Sequence, residues 1–349
     1  MLRQAKLGAL RVARATGISR LLAESHWRRR RLLILCYHGV SRYDEHDWDP
    51  LYITPERLRR RMQLLAQESC NVLSLADGLT RLRDGTLPPR AVTITFDDGF
   101  HDFYSTAFPI VESFGFPVTL YLTTYYVEFN RPVFDPMVSY LLWKGRDKQS
   151  KQWTEVSAAP LALDDAGRPA ATAIIKDHAS ARKLSGLEKD RLLARLAERL
   201  EIDYEDLCRR RVLHLITKEE ARELAARRLD LQYHTHRHRV YRTRQRMFTE
   251  LDDNRRRLEA YTAMAPQHFC YTGGFYLREH PEYLAAYGIR SATTCDRGLC
   301  TARTNPMLLP RLVDTMRMSE LEFCAWLAGT ASFLPQRAQA LDAGQLVEE

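Results

Sequence analysis

Apolar and polar residues follow one another along the first part of the chain in blocks that predict strands and helices in turn. Continuous apolar runs over 32–40, 92–96 and 116–124 are typical of strands buried on both faces. After the first run, Thr54 and Pro55 open a segment whose apolar residues recur at helical spacing. Strands that alternate with helices indicate a parallel sheet or barrel.

The alternation stops over about 130–214. This stretch begins with turn-rich sequence and continues with "SGLEKDRLLARLAERLEID", which has the period of a helix with a charged outer face. We therefore predict a helical insertion within the barrel. After it, Thr217 and Glu220 form a capping box that opens a helix, and a further strand is predicted over 229–234.

Length and composition agree with one α/β barrel that carries extensions. The chain has 349 residues, and its apolar content of 45% excludes wholesale disorder. The predicted domains are a basic N-terminal helical extension at 1–31, the barrel at 32–329 and a C-terminal tail at 330–349.

The net charge of +8 favours anionic surfaces but identifies no partner. Part of the excess lies on the N-terminal helix, whose apolar residues are small. This favours a solvated helix packed on the domain over a helix that lies on a membrane. The run from Arg28 to Arg31 has no interleaved aromatic residues, so we expect no nucleic-acid partner.

The cysteines and the N-terminus predict a location in the cell. Seven cysteines without a C-x-x-C pair suggest neither a zinc knuckle nor a disulfide framework. No apolar run approaches the roughly 18 residues of a membrane helix, and basic residues interrupt any signal-peptide core. The sequence predicts a cytoplasmic protein, with peripheral contact between its basic N-terminus and the inner membrane left as an open alternative.

The first candidate chemistry follows the predicted strand 92–96, where Asp97, Asp98 and Gly99 are adjacent. Asp-Gly after a strand is common turn chemistry, and that is the simplest interpretation. Two adjacent acids at a strand end can also have different catalytic roles, because one can bind a metal while the other stays free as a base. A second group of polar residues is needed to choose between these interpretations.

That second group is "HTHRH", from His234 to His238, at the end of another predicted strand. Three histidines within five residues are difficult to explain by packing. Two neutral imidazoles and one carboxylate suit zinc or a similar divalent ion and leave positions open for water and substrate. His236 points away from its neighbours in an extended run, so we do not expect it to be a ligand.

The two motifs together resemble those of the polysaccharide deacetylases of the carbohydrate esterase type. Thr95–Gly99 reads T-F-D-D-G and His234–His238 reads H-[ST]-x-x-H, in that order and each after a strand. The resemblance covers about 32–329. It implies an α/β fold, a distorted (β/α) barrel whose strand ends carry the site.

The resemblance also implies roles for the matching residues. Asp98, His234 and His238 would bind the metal, for which zinc is expected and cobalt or nickel are alternatives. Asp97 would be the general base. The substrate would be an N-acetylated carbohydrate.

The third motif of the family, a loop that supplies a backbone N–H to the oxyanion, is matched only in part by "FCYTGGFY". Gly273 and Gly274 would let a backbone donor approach the ligand closely. Cys270 and Thr272 stand where the family pattern has Arg and Pro. An ordinary Gly-Gly turn is the alternative.

In the commoner members of the family, the general acid is a histidine in a C-terminal Leu-x-His motif. This chain departs from that pattern, because no histidine follows His280. Our hypothesis is that His38 is the acid and that the barrel is circularly permuted, as in exopolysaccharide-modifying members that the chain resembles at 292–294 and 309–311. A core hydrogen bond is the alternative for His38. By analogy with the missing motif arginine, Arg311 would orient Asp97, although a structural salt bridge fits it equally well.

The sequence thus predicts a metal-dependent hydrolase that removes N-acetyl groups from an amino-sugar polysaccharide, oligosaccharide or lipid-linked precursor. The alternative is a carbohydrate-binding pseudoenzyme with a degenerate deacetylase site.

Overall fold

The structure is a computed structural model that describes residues 2–148, 153–336 and 346–347. Its strands are β1 (Leu33–Tyr37), β2 (Asn71–Val72), β3 (Ala91–Phe96), β4 (Thr119–Leu122), β5 (Asp230–Tyr233), β6 (Val240–Tyr241), β7 (His268–Cys270), β8 (Ser291–Thr293), β9 (Leu312–Val313) and β10 (Leu346–Val347). Its α-helices are α1 (Leu2–Ala15), α2 (Ile18–Glu24), α3 (His26–Arg29), α4 (Glu45–Trp48), α5 (Pro55–Gln67), α6 (Leu75–Asp84), α7 (Phe108–Glu112), α8 (Tyr125–Phe129), α9 (Phe134–Lys144), α10 (Arg168–Ala181), α11 (Gly186–Arg199), α12 (Tyr204–Arg209), α13 (Lys218–Ala226), α14 (Arg244–Tyr261), α15 (His280–Tyr287) and α16 (Glu320–Ala328). A π-helical turn lies at Phe103–Ala107, and 3₁₀ turns lie at Thr272–Gly274 and Thr330–Phe333.

Eight strands form one parallel sheet in the order β8-β7-β5-β4-β3-β1-β9, with β2 beside the start of β3. The segment that leads into β9 contacts both edges of the sheet. Leu309 pairs with Thr293 of β8 at one edge, and β9 pairs with β1 at the other. The sheet therefore curls, and helices pack around it. The predicted distorted (β/α) barrel is confirmed, whereas its circular permutation stays a prediction.

β1 and β4 are shorter than the strands that the apolar runs 32–40 and 116–124 predict. β1 ends at Tyr37, which pairs with Phe96, the last residue of β3. The Asp97 amide donates the final hydrogen bond of this pairing to the Tyr37 carbonyl oxygen, and the chain of β3 then turns away. His38 consequently begins a loop and does not lie within the strand. After β3, a π-helical turn directly precedes α7.

The predicted helical insertion is present as α9 to α12, between β4 and β5. Its helix α11 starts with a capping box at Ser185 and buries Leu192, Leu193 and Leu196. The predicted capping box between Thr217 and Glu220 opens α13. The insertion is therefore part of the packed structure.

The N-terminal helices pack on the barrel, which is the interpretation that the small apolar residues favoured. Leu10 of α1 is buried against the core, and α1 contacts α16. Arg28 is fully buried and donates to the carbonyl oxygens of Leu327, Arg31 and Ala91. Contact of this region with a membrane stays a prediction.

No helix in the described part of the chain has the length and apolar character needed to cross a membrane. The boundaries at 1–31, 32–329 and 330–349 stay predictions. Much of the predicted tail, 337–345 and 348–349, lies outside the described residues.

Candidate active site

The predicted site residues come together where neighbouring parallel strands end. Asp97 and Asp98 follow β3, His234 follows β5, and His38 follows β1. Parallel strands direct their carboxyl ends to one edge of the barrel, which is why residues distant in sequence meet there.

The Asp-Asp-Gly turn makes the two carboxylates diverge. Asp98 has φ 70° and Gly99 has φ 88°, so the backbone enters the left-handed region directly after β3. A Cβ added at Gly99 would overlap the side chain of Leu122, which explains the glycine. Asp97 stays on the ladder with its side chain buried, whereas Asp98 lies in the turn itself. The turn and the site chemistry thus use the same residues.

Asp98 lies between two of the three motif histidines. Its Oδ1 atom is 3.1 Å from His234 Nε2 and 3.1 Å from His238 Nε2. The three ligand atoms lie within 4.8 Å of one another. Burial alone would raise the pKa of Asp98, but hydrogen bonds with the two histidines hold it well below its usual value. Asp98 is therefore a carboxylate.

Helix α14 holds the histidine loop through two buried polar side chains. Asn254 Oδ1 accepts the His234 amide at 3.1 Å, and its Nδ2 donates to Leu122 O at 3.0 Å. Glu250, four residues earlier, accepts the amides of His236 and Arg237 at 3.0 and 2.8 Å. Sequence reasoning missed both residues. The only available signal was their spacing of one helical turn on a charged helix, which is weak.

His236 lies outside the group formed by Asp98, His234 and His238, as expected. Its Nδ1 atom is 2.9 Å from Thr124 Oγ1 on the barrel side of the loop. Burial, together with nearby arginines, lowers the pKa of His236 to about 3, so the ring is neutral.

The chemistry of Asp98, His234 and His238 fits a divalent cation. One carboxylate and two imidazole nitrogens are ligands that zinc and similar ions accept. His234 Nδ1 is 2.9 Å from the Cys270 carbonyl oxygen, so Nδ1 carries a hydrogen, and Nε2, which is 3.1 Å from Asp98 Oδ1, is the nitrogen that a cation would bind in place of the Nε2 hydrogen. This orients His234 as a ligand without further rearrangement of its ring.

Asp97 forms a buried two-point ion pair with Arg311. Arg311 Nη1 donates to Oδ1 and Nη2 donates to Oδ2, each at 2.7 Å, and the two residues are 0% and 2% exposed. The guanidinium also donates to Thr294 O at 2.9 Å and Thr95 Oγ1 at 3.2 Å. Arg311 therefore lies beside Asp97 as predicted, in a fixed orientation.

The ion pair keeps Asp97 ionised. Burial would raise the pKa of Asp97, but the charge and hydrogen bonds of Arg311 outweigh burial and hold this pKa well below its usual value. An ionised carboxylate in so dry a position requires such a partner.

Two thiols also contact Asp97, and these contacts were not predicted from the sequence. Cys36 Sγ lies 3.5 Å and Cys270 Sγ 3.4 Å from Oδ2, and Arg311 Nη2 lies 3.0 Å from Cys270 Sγ. Burial raises the pKa of Cys36 well above its usual value, so this thiol remains protonated and can donate to the carboxylate.

His38 is on the exposed side of Asp97. Its Nε2 atom is 3.8 Å from Asp97 Oδ2, and its side chain is 18% exposed. The position is near enough to the carboxylate for charge interaction and open enough to reach a ligand. The predicted neighbourhood of His38 is therefore observed, while its role as an acid stays a prediction.

The Gly-Gly turn lies beside the ion pair. Gly273 has φ 60° and Gly274 has φ 70°, and a Cβ on Gly274 would lie 2.7 Å from Cys295 Cβ. The Gly274 amide donates to Tyr271 O at 3.0 Å and the Phe275 amide to Thr272 O at 3.1 Å. The Gly274 amide is thus already hydrogen-bonded within the turn, whereas the Gly273 amide takes part in neither of these two bonds.

Comparison with known proteins identifies the family. The model of the family described as "Polysaccharide deacetylase" matches residues 84–292, more than half of the chain. A poly-beta-1,6-N-acetyl-D-glucosamine N-deacetylase of Escherichia coli (strain K12) is 33% identical over 99 residues, which cover 28% of this chain and 14% of that protein. The protein of the same name from Staphylococcus epidermidis is 28% identical over 131 residues, covering 32% of this chain and 45% of the relative. The chain therefore matches less than half the length of either relative.

Solved structures show the same fold. The Streptococcus pyogenes deacetylase PplD in complex with acetate has a TM-score of 0.55 at 17% identity, covering 88% of this chain and 99% of that one. IcaB from Ammonifex degensii has a TM-score of 0.53 at 13% identity, covering 86% and 97%. At these identities the likeness concerns the fold alone.

Proposed function

Because the chain belongs to the polysaccharide deacetylase family, we propose that it is a metal-dependent hydrolase that removes N-acetyl groups from an amino-sugar polysaccharide, oligosaccharide or lipid-linked precursor. One observation carries the proposal. Asp98, His234 and His238 bring together one carboxylate oxygen and two imidazole nitrogens that could hold a metal ion, directly beside the buried, ionised carboxylate of Asp97. A hydrolase needs such a base, whereas a protein that only binds carbohydrate does not.

The curated relatives suggest which sugar to test first. They are named as deacetylases of poly-beta-1,6-N-acetyl-D-glucosamine. We therefore take β-1,6-linked N-acetylglucosamine oligomers as the proposed substrate class.

In this proposal Asp98, His234 and His238 hold a divalent cation, with zinc as the first choice. When bound, such an ion polarises an acetamide carbonyl and makes a water molecule more acidic. The Cys270 carbonyl oxygen keeps His234 in the orientation required of a ligand, and Asn254 fixes the backbone from which that ring projects.

Asp97 accepts the proton of the attacking water. Its low pKa makes it a weak base, so the transfer requires an acidified water, while the pair with Arg311 guarantees that the carboxylate is ionised. The water oxygen forms a bond to the acetyl carbon, and the C–N bond then breaks to give acetate and a free amine.

His38 supplies the proton that the leaving amine requires. Its Nε2 atom lies 3.8 Å from Asp97 Oδ2 on the exposed side of the carboxylate, where a bound substrate can reach it. The oxyanion is stabilised by the turn at Gly273 and Gly274, where we propose the Gly273 amide as donor because the Gly274 amide is already bonded to Tyr271.

The test is acetate release from β-1,6-linked N-acetylglucosamine oligomers after chelation and addition of zinc or cobalt. We expect metal-dependent release by the wild type and none by Asp97→Asn, with His38→Ala strongly impaired. Asp84→Asn and His26→Ala replace exposed residues and serve as matched controls. Bound metal is measured in parallel and should fall from one ion per chain to much less in His238→Ala.

Metal binding without acetate release from any N-acetylated oligomer would instead support a carbohydrate-binding protein. Release that persists in Asp97→Asn would contradict the assignment of the base. Release that is unchanged in His38→Ala would retain the enzyme and remove His38 from the mechanism.

A further inference from the structure

A second cavity lies away from Asp98 and the two histidines, where the loop after β1 meets the inserted helix α9. Its volume is about 460 Å³. The residues that line it are Asp44, Asp47, Trp143, Lys144, Arg146 and Asp147. The cavity is thus formed jointly by the barrel and the insertion.

The cavity is linked to the candidate active site by a short connection. Asp44 follows His38 by six residues, and six residues span at most about 20 Å even when fully extended. Tyr52 packs against Gly39, the residue after His38, and a chain of aromatic contacts runs from Tyr52 to the cavity. Trp48 lies 5.7 Å from Tyr52 and 5.5 Å from Tyr140 between ring centroids, and Tyr140 lies 5.8 Å from Trp143. The cavity is therefore within reach of a glycan chain that occupies the site.

The lining has the composition of a carbohydrate site. Trp143 provides an aromatic wall, and carboxylate, ammonium and guanidinium groups around it can bond sugar hydroxyls. The Arg146 guanidinium lies 4.5 Å from the Trp143 ring centroid. Because Arg146 is exposed, this contact is weak, and a sugar ring can take its place on the indole.

The charges of the lining select the kind of sugar. Lys144 is bound to Asp44 at 2.6 Å, so neither charge is free for another partner. The side chains of Asp47 and Asp147 are 67% and 88% exposed, and their nearest ionic contacts among the described residues, to His46 and Arg146, are long at 3.7 and 3.9 Å. The cavity therefore offers two carboxylates to an incoming cation.

We propose that this cavity binds a cationic glucosamine unit of a glycan while an N-acetylated unit elsewhere on the same glycan chain occupies the active site. The inference rests on the proposed function, since deacetylation converts a neutral acetamide into an amine that is protonated at neutral pH. A partly deacetylated chain is then held more tightly than a fully acetylated one. The first deacetylation on a chain favours those that follow.

The test compares binding of a β-1,6-linked glucosamine hexamer with binding of the N-acetylglucosamine hexamer to chelated wild-type protein, by calorimetry at low salt. The glucosamine hexamer contains no acetyl group, so it cannot be turned over. We expect it to bind more tightly, and we expect Asp47→Asn/Asp147→Asn to weaken it by about three- to tenfold, the range for two exposed ion pairs.

Two further variants define the contribution of the cavity. The control Asp84→Asn/Asp177→Asn removes two exposed carboxylates elsewhere and should change nothing. Trp143→Ala should weaken both hexamers, and Trp143→Phe should restore part of the binding because it retains an aromatic wall.

Equal affinity for the two hexamers, or an unchanged affinity in Asp47→Asn/Asp147→Asn, would overturn the inference. Equal loss of oligolysine binding in that variant, without an effect of Trp143→Ala, would show attraction of any polycation and would also overturn it. Acetate release is measured on the same samples. Release with no effect of the cavity variants refutes this inference alone, and glucosamine binding at the cavity without release refutes the proposed function alone.

Discussion

Replacing Arg311 with Met isolates the electrostatic support of Asp97. Methionine has a similar length and no charge, so it removes both 2.7 Å hydrogen bonds to the carboxylate and leaves Asp97 buried without them. The two residues are 2% and 0% exposed, and no discount for solvent screening applies. Loss of one partner from a buried pair typically costs about 3–5 kcal/mol in the free energy of unfolding. We expect a loss in this range at pH 7.

The same variant should be less impaired in acid, and the sign follows from the pKa of Asp97. In the wild type this pKa lies below the unfolded value of about 4, so the stabilisation is present above pH 4 and declines as the pH falls towards the folded pKa. In Arg311→Met burial raises the pKa above the unfolded value, so protonation removes the penalty as the pH falls. The difference between the two proteins should shrink from pH 7 towards pH 4.

The assay is urea unfolding at pH 7 and pH 4.5, with Arg28→Met as the matched control. Arg28 is as buried as Arg311, but its partners are the carbonyl oxygens of Leu327, Arg31 and Ala91, which do not titrate. Arg28→Met should therefore lose the same stability at both pH values. A loss below about 1 kcal/mol at pH 7 for Arg311→Met, or a loss that does not shrink in acid, would refute the reasoning.

Three further substitutions test the supports of the site. Asn254→Ala removes the acceptor of the His234 amide and should weaken zinc affinity about 10- to 100-fold in a competition titration, whereas unchanged affinity would contradict a positioning role. Glu250→Ala leaves the amides of His236 and Arg237 without this acceptor and should lower the free energy of unfolding by about 1–3 kcal/mol, measured in urea. His38→Ala should slow acetate release by roughly 10²- to 10⁴-fold and keep one metal ion per chain, so loss of the metal would count against the acid role.

The sequence was informative about the site wherever a function depends on consecutive residues at a strand end. The apolar run before Asp97 predicts a buried strand, and the Asp-Gly pair after it predicts a turn. Together they place two diverging carboxylates at the edge of the barrel. His234 and His238 were found in the same way, as a cluster of histidines after a predicted strand. The loop conformation that brings their rings together, however, is held by Glu250 and Asn254 of α14.

Contacts between distant elements were not predictable in the same way. Glu250 and Asn254 lie on a helix in which half of the other residues are charged, and only packing shows that these two face inward. Cys36 lies in a strand that the sequence already explains as core. Its contact with Asp97 exists because β1 and β3 are paired in register, with Cys36 opposite Thr95. Register between strands is not encoded in either strand alone.

Arg311 supplies beside Asp97 the positive charge that the altered third motif lacks. Cys270 stands where the resemblance leads one to expect an arginine, and the Arg311 guanidinium lies 3.0 Å from the Cys270 sulfur. The positive charge thus reaches Asp97 from the segment before β9, through space adjacent to the altered position. Because an ion pair depends on the distance and burial of its two groups and not on their order along the chain, the substitution at Cys270 does not by itself argue for a degenerate site.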